Sequence, residues 1–246
     1  MYRYILVITI LINSILADEI KILSAANLKF FFSDIVKDYN KKYPNDIINV
    51  EFDSSGSLSK SIQSGTSYDI FLAANMRYPQ TIYELGYSVI PAKLYTTGSL
   101  ILLVAKYKEL SSKKLLILED PRIKEITIAN KQTAPYGMAA IQALKQEKVY
   151  NKIKSKLYYS TDASTIIGDV LWYGHAGILP KSAVNFLPRG YNIEGENWVN
   201  IDQELYTPIE QGFTVSKEGS KKQSVKRFLK YLLDDGQKIF KKNGYK

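Results

Sequence analysis

The sequence predicts an α/β fold with parallel sheets covered by helices, and three observations support this class. Short apolar stretches with strand periodicity alternate along the chain with amphipathic helical patterns. Four strand-to-helix junctions carry small or hydroxyl residues, two in each half of the chain. The 246 residues, 46% hydrophobic and 23% charged, suffice for one or two globular domains. We therefore expect two α/β lobes, each a mostly parallel sheet flanked by helices, with a cleft between them.

Residues 1–17 have the features of a secretory signal peptide. One positive charge at Arg3 precedes an apolar run over residues 5–12, and Ala17 provides a cleavage position. The sequence contains no cysteine, which excludes both a lipid anchor on cysteine and disulfide bonds. We expect cleavage after Ala17 and export to the periplasm.

The first half contains three successive β-α units. Residues 19–23 form a strand, and Asn27 stands where the N-cap of the following helix belongs. Residues 47–52 form a second strand, which leads through Ser54-Ser55-Gly56 into a short helix ending at Gly65. A third strand over residues 68–73 precedes a helix stopped by Gly86. Such repetition predicts a parallel sheet.

The second half repeats this construction after a very apolar strand at residues 99–105, which we expect to be buried on both faces. Its junctions are Ala134-Pro135-Tyr136, with the proline suited to a first helical position, and Asp162-Ala163-Ser164. Residues 220–240 have the pattern of a single amphipathic helix.

The four junctions together predict an oxyanion site. Ligands of open α/β sheets bind at the carboxyl ends of the strands, where helix N-termini offer unpaired N–H groups. Hydroxyls beside such N–H groups add further donors without a lysine or arginine. A purely structural alternative for one junction is that Ser54 or Ser55 only caps its helix.

The ordered set of motifs resembles the periplasmic molybdate-binding proteins of ABC transporters over residues 18–246. The motifs that carry the resemblance are Ser24-Ala25-Ala26-Asn27-Leu28, Ser54-Ser55-Gly56-Ser57-Leu58, Tyr68-Asp69-Ile70-Phe71-Leu72-Ala73-Ala74, Gly98-Ser99-Leu100, Ala134-Pro135-Tyr136-Gly137 and Ile239-Phe240-Lys241-Lys242-Asn243-Gly244-Tyr245. The resemblance implies a two-lobed periplasmic binding protein with hinge crossings near residues 95–102 and 206–212. It implies one lobe of residues 18–97 and 207–246 and another of residues 98–206.

The resemblance also implies the ligand site. Asn27 and Ser55 would donate side-chain hydrogen bonds to the oxygens of molybdate or tungstate, and Ala134 and Ala163 would donate backbone N–H groups. Ser54 and Pro180 are secondary candidates. Some family members have a tyrosine donor after the strand that corresponds to Gly177-Ile178-Leu179-Pro180, where this chain has Pro180 and no N–H. No cofactor and no direct protein ligand to the metal atom are expected, and the implied partner is an inner-membrane ABC permease that receives the anion from a monomeric receptor.

Several other functions are less well supported by the sequence. A serine hydrolase using Ser55 would need a base, but the sole histidine, His175, follows a helix end and Ser55 lies outside a Gly-x-Ser-x-Gly motif. A cation site at Asp53, Asp69 and Asp162 is less favoured than capping or hinge roles for these acids. The net charge of +9 is spread over helix faces, which argues against nucleic acid. Sulfate and phosphate remain the closest alternative ligands.

Overall fold

A computed structural model describes residues 18–104, 110–161, 163–173 and 176–246. The predicted signal peptide, Asp162 and His175 lie outside the described residues. The strands of these ranges are β1 (Glu19–Ala25), β2 (Ile47–Asp53), β3 (Ile70–Leu72), β4 (Lys93–Gly98), β5 (Leu100–Val104), β6 (Ile126–Ala129), β7 (Leu157–Ser160), β8 (Ala176–Pro180), β9 (Trp198–Asn200) and β10 (Ile209–Val215).

The α-helices of the described ranges alternate with these strands, and short 3-10 turns complete several connections. They are α1 (Phe32–Asn40), α2 (Ser55–Gln63), α3 (Arg77–Glu84), α4 (Leu110–Lys113), α5 (Pro135–Gln146), α6 (Tyr150–Ile153), α7 (Ile166–Tyr173), α8 (Gln223–Leu233) and α9 (Gln237–Lys242). None of them combines the length and apolarity that crossing a bilayer requires.

The strands form two five-stranded sheets, in the orders β2-β1-β3-β10-β4 and β7-β6-β8-β5-β9. Each sheet is mixed. β1 pairs in parallel with β2 and β3, and β6 with β7 and β8, whereas β10 and β5 run antiparallel to their neighbours. The parallel pairs are the β-α units that the sequence predicts, and the antiparallel strands flank the crossings between the sheets.

Helices bury apolar residues on both faces of the first sheet. Ile20 and Ile22 of β1 belong to the same core as α1 and α8, whereas Leu23 belongs to a separate cluster with Leu58 of α2 and Ile82 of α3. This division follows from the alternation of side chains along a strand. In the second sheet all five residues of β5 are buried, as predicted, and α5 and α7 both contact β6 and β8.

The chain crosses between the two sheets twice, and the two crossings lie next to each other. The chain leaves the first sheet at Gly98, the end of β4, and enters the second at Leu100, the start of β5. It returns between β9 and β10, where Ile209 lies opposite Gly98 in the antiparallel β4–β10 pair. These positions agree with the predicted crossings near residues 95–102 and 206–212. The exact lobe boundaries at 97/98 and 206/207 remain a prediction.

Two local predictions were wrong. Asn27 is not the N-cap of a long helix, because it lies inside the 3-10 turn Ala26–Leu28 and α1 begins only at Phe32. The predicted helix over residues 220–240 is two helices, α8 and α9. Asp234 ends the first with φ −109° and ψ −92°, a conformation that an α-helix does not accommodate.

Candidate functional site

The register of the first sheet brings three junctions to one edge. β1 and β2 run in parallel with Ala25 opposite Asp53, so the turns that carry Asn27 and Ser55 leave the sheet side by side. β3 lies on the other side of β1 with Leu72 opposite Ser24, which places Ala74 at the same edge. This is the carboxyl edge at which α/β sheets bind ligands.

The second sheet has the same arrangement. β6 and β7 run in parallel with Ala129 opposite Ser160, so the turns carrying Ala134 and Ala163 leave from a common edge. The amide of Asn130 donates to the carbonyl of Ser160 at 2.9 Å, which fixes the two turns against each other. The structure therefore pairs Asn27 with Ser55 in one lobe and Ala134 with Ala163 in the other.

The two edges are in direct contact. The amide of Gly56 in α2 donates to the carbonyl of Thr133, the residue before Ala134, at 2.9 Å. The hydroxyl of Tyr78 in α3 donates to the carbonyl of Gln132 at 3.3 Å. Both bonds join residues of the first lobe to residues of the second, so the described conformation has the lobes closed at this edge.

Ser54 and Ser55 have different roles. Ser54 is the N-cap of α2, and its hydroxyl accepts from the amide of Ser57 at 3.3 Å and donates to the hydroxyl of Ser57 at 2.8 Å. The hydroxyl of Ser55 accepts instead from the amide of Ala74 at 2.9 Å. Its own hydrogen has no acceptor among the described residues, and neither has the backbone N–H of Ser55. Ser55 therefore offers two unused donors at the start of a helix.

Asn27 is part of a buried polar network. Its side chain, 2% exposed, donates from Nδ2 to Gln211 Oε1 at 3.0 Å and to the hydroxyl of Tyr245 at 2.8 Å. Its backbone carbonyl accepts from the hydroxyls of Ser182 at 3.1 Å and Tyr245 at 3.3 Å. Its Oδ1 atom is buried and has no partner within the described ranges. The sequence predicted that the carboxamide nitrogen points to the ligand, but in this conformation both of its hydrogens are used internally.

The start of α5 provides a donor at a different residue from the predicted one. The amide of Ala134 donates to the carbonyl of Asn130 at 2.8 Å, so this N–H is already used within the turn. Pro135 is the first helical residue and has no N–H. The N–H of Tyr136 has no acceptor in the described part of the chain. The sequence did contain this signal, because a proline at the first helical position leaves the next amide as the first free donor.

The remaining two candidates, Ala163 and Pro180, lie at or just after the ends of β7 and β8. Ala163 is buried in the turn between β7 and α7, as predicted. Pro180 is the last residue of β8 and pairs with Leu100 at the crossing, so it contributes shape but no donor. Ser182, two residues later, donates to the carbonyl of Asn27, which links the end of β8 to the first lobe.

The candidate site residues that the structure describes are neutral groups. Burial raises the pKa of Tyr95 and Tyr136 well above the ordinary value and also raises that of Tyr245, so these phenols stay protonated and remain donors. The described residues contain no cluster of three or more His, Cys, Asp or Glu side chains able to hold a metal ion. Asp69 lies buried elsewhere, where it accepts from the amide of Lys21 and from Lys222 Nζ, both at 2.8 Å. An arrangement of neutral donors suits an anion and does not suit a cation.

Comparison with known proteins places the chain among binding proteins. The molybdate-binding protein ModA of Azotobacter vinelandii is 28% identical over 217 residues, covering 88% of this chain and 84% of the relative. The structure of the periplasmic molybdate-binding protein of A. vinelandii has a TM-score of 0.82 at 20% identity, covering 92% of this chain and 98% of that one. The sulfate-binding protein SubI of Mycobacterium tuberculosis has a TM-score of 0.75 at 12% identity, covering 93% and 86%.

At these identities the two structural likenesses establish the fold alone, and they confirm the predicted two-lobed class. A family description also matches residues 20–246, which is nearly the whole described chain. The chain belongs to the bacterial extracellular solute-binding proteins, a family of receptors rather than enzymes.

Proposed function

We propose that this protein is a periplasmic receptor that binds molybdate or tungstate between its lobes and delivers the anion to an inner-membrane ABC permease. In this proposal residues 1–17 are the export signal, residues 18–97 and 207–246 form one lobe and residues 98–206 the other. The receptor acts as a monomer. The ligand oxygens contact Asn27, Ser55 and Ala163, and at the start of α5 the donor is the N–H of Tyr136 rather than that of Ala134, which is bonded to Asn130.

The observation that carries the proposal is the set of unused donors at two helix starts held against each other across the lobes. Ser55 offers a hydroxyl hydrogen and an N–H at the start of α2, and Tyr136 offers an N–H at the start of α5. The Gly56–Thr133 hydrogen bond holds these starts together. Burying a dianion requires hydrogen bonds to nearly every oxygen, and helix N-termini supply them without a counter-charge.

The neutral donor set favours one class of tetrahedral anion. Molybdate, tungstate and sulfate are fully deprotonated near neutral pH, whereas phosphate retains a proton that calls for an acceptor. None of Asn27, Ser55, Ala134 and Ala163 carries a carboxylate, so phosphate fits less well. The likeness to the M. tuberculosis sulfate-binding protein shows that the fold is shared between receptors for different anions. The name and coverage of the A. vinelandii relative favour molybdate over sulfate.

The test is a thermal-shift and calorimetry panel on the chain beginning at Asp18, with molybdate, tungstate, sulfate, phosphate and chromate. A ligand at roughly 1,000 times its Kd stabilises the folded state by about 4 kcal/mol. For a chain of this size that corresponds to a rise in Tm of about 8–16 °C. We expect this rise with molybdate and tungstate and little change with phosphate. Stabilisation by sulfate alone would reassign the ligand, and stabilisation by none of the five anions would refute the proposal.

A further inference from the structure

The orientation of the Asn27 side chain leads to an inference that rests on the proposed function. Asn27 Nδ2 faces Gln211 and Tyr245, so the atom left for a ligand is Oδ1, which is buried and unpaired within the described ranges. An unpaired buried acceptor is costly, and an acceptor directed at a dianion is repulsive. Asn27 can donate to the anion with its side chain only if the carboxamide turns over.

The partners of Gln211 allow this rotation. Gln211 is fully buried in β10, where its Oε1 accepts from Asn27 Nδ2 and, at 2.9 Å, from the hydroxyl of Tyr95. Its Nε2 donates to the hydroxyl of Tyr136 at 2.9 Å. A phenol both donates and accepts, so every hydroxyl in this set serves either orientation of the amides.

Turning both carboxamides by about 180° keeps the partners of both amides, provided that the Tyr245 hydroxyl hydrogen moves from the Asn27 carbonyl and Ser182 to Asn27 Oδ1. Gln211 Nε2 would then donate to Asn27 Oδ1 and to the hydroxyl of Tyr95, which already donates to the carbonyl of Ala73 at 3.3 Å. The hydroxyl of Tyr136 would donate to Gln211 Oε1, and the hydroxyl of Tyr245 to Asn27 Oδ1. Asn27 Nδ2 would occupy the present position of Oδ1, with its hydrogens free for the ligand.

We propose that Gln211 and Tyr245 are positioning residues for Asn27, and that anion binding turns the Asn27 and Gln211 carboxamides together. The empty closed site then has an unpaired acceptor, and the occupied site has a donor in its place. The network also joins the lobes, because Gln211 bonds Tyr136 and Tyr245 bonds Ser182 at 3.1 Å. Ligand binding therefore removes a cost that is specific to the closed state, which favours closure around the anion.

The decisive variant is Tyr245→Phe, which removes one hydroxyl and keeps the ring that packs against Phe31 and Phe240. The Tyr245 hydroxyl accepts from Asn27 Nδ2 in the described orientation and would donate to Oδ1 in the turned one. Without it the described orientation keeps an unpaired buried N–H, whereas Oδ1 of the turned orientation still accepts from Gln211, so the variant should bind molybdate roughly three- to tenfold more tightly. A matched control is Tyr68→Phe, which removes another buried phenol hydroxyl, bonded to the carbonyl of Tyr87 at 2.9 Å. The control should lower Tm and leave Kd unchanged.

A double-mutant cycle separates positioning from general stabilisation. Asn27→Ser keeps a hydroxyl donor for the anion but cannot take part in the paired rotation. In that background Tyr245→Phe should change Kd by less than about twofold, because its effect acts through the Asn27 carboxamide. A change in affinity equal to that in the parent protein would overturn the inference while leaving the proposed function intact.

The rotation itself is measurable by NMR of the side-chain amide groups. Saturating molybdate should shift the 15N–1H resonances of both Asn27 and Gln211, although only Asn27 would contact the anion. An unchanged Gln211 resonance beside a shifted Asn27 resonance would overturn the paired rotation. Failure of the parent protein to bind any of the five oxyanions would instead overturn the proposed function and this inference with it.

Discussion

The contact between Gly56 and Thr133 offers a direct test of lobe closure. A Cβ atom at Gly56 would lie 2.8 Å from Thr133 Cα and 2.9 Å from the Thr133 carbonyl oxygen. It would also lie 2.8 Å from the hydroxyl of Tyr78. The Thr133 backbone is held by its own hydrogen bond to Asn130, at 3.2 Å, so it cannot easily withdraw. In Gly56→Ala the two turns must separate.

The size of the effect follows from the overlap. Non-bonded carbon atoms prefer separations of about 3.5–4.0 Å, so the turns must move apart by about 1 Å. Overpacking of this kind costs about 1–3 kcal/mol. The overlap with the Thr133 backbone arises only while the two turns are in contact, and the Tyr78 hydroxyl is the end of a side chain that can turn aside. We therefore expect most of this cost to fall on the closed state. Molybdate binding should therefore weaken by about 5- to 150-fold.

Calorimetry measures the affinity, and small-angle scattering measures closure. The parent protein should become more compact with saturating molybdate, and Gly56→Ala should compact less. Without ligand its Tm should not fall, because alanine favours a helix more than glycine does. Gly168→Ala in α7 is the matched control, since the nearest atom to its new methyl group would be Trp172 Cδ1 at 3.9 Å. Parent-like affinity in Gly56→Ala would refute the reasoning. So would a loss of folding free energy without ligand that is as large as the loss of binding free energy.

Three further predictions concern single side chains. Ser55→Ala should bind molybdate about 10- to 100-fold more weakly by calorimetry, because it loses a donor to a charged oxygen. It should also melt at a lower temperature, because the amide of Ala74 loses its acceptor; an unchanged Kd would show that the hydroxyl is only structural. Asn27→Asp should abolish binding near neutral pH in the same assay, because it places a carboxylate beside a dianion, and parent-like binding would remove Asn27 from the site. The hydrogen bond from Tyr231 and cations nearby lower the pKa of Asp38 from 3.8 to about 2. Its stabilising contribution should therefore be present above about pH 4 and be lost as the pH falls towards 2, so acid titration of Asp38→Asn should show a smaller loss of Tm over this range than the parent.

Much of the fold could be predicted because its signals are local. The apolar run that became β5 showed burial on both faces, and Pro135 marked the first residue of α5. Gly65 and Gly86 ended the helices before them, and both have the positive φ that makes glycine suitable there. The successive β-α units then predicted where the four junctions lie, because parallel strands bring their carboxyl ends to one edge of each sheet.

The missed strands depend on distant partners. β4 has two exposed residues at its start, and β9 has only three residues, so neither shows a clear period-2 pattern. β4 exists because it pairs with β10, more than a hundred residues later in the chain, and β9 because it pairs with β5. The division of the last predicted helix into α8 and α9 could not be predicted for a related reason. The apolar pattern of α8 continues into α9, while the break depends on the backbone of Asp234.

The limit is clearest at Asn27, whose local sequence suggested a helix cap. Its side-chain partners are 184 and 218 positions away, at Gln211 and Tyr245, and no period or spacing encodes such pairs. Taken alone, Gln211 is interpreted as an ordinary strand residue and Tyr245 as an ordinary residue near the C-terminus. Their function follows only from being buried together, because burial makes an unpaired carboxamide oxygen costly and leaves rotation as its means of relief. Sequence patterns could thus locate candidate donors for the proposed anion, whereas the groups proposed to orient them depend on how the two lobes and the C-terminal residues pack.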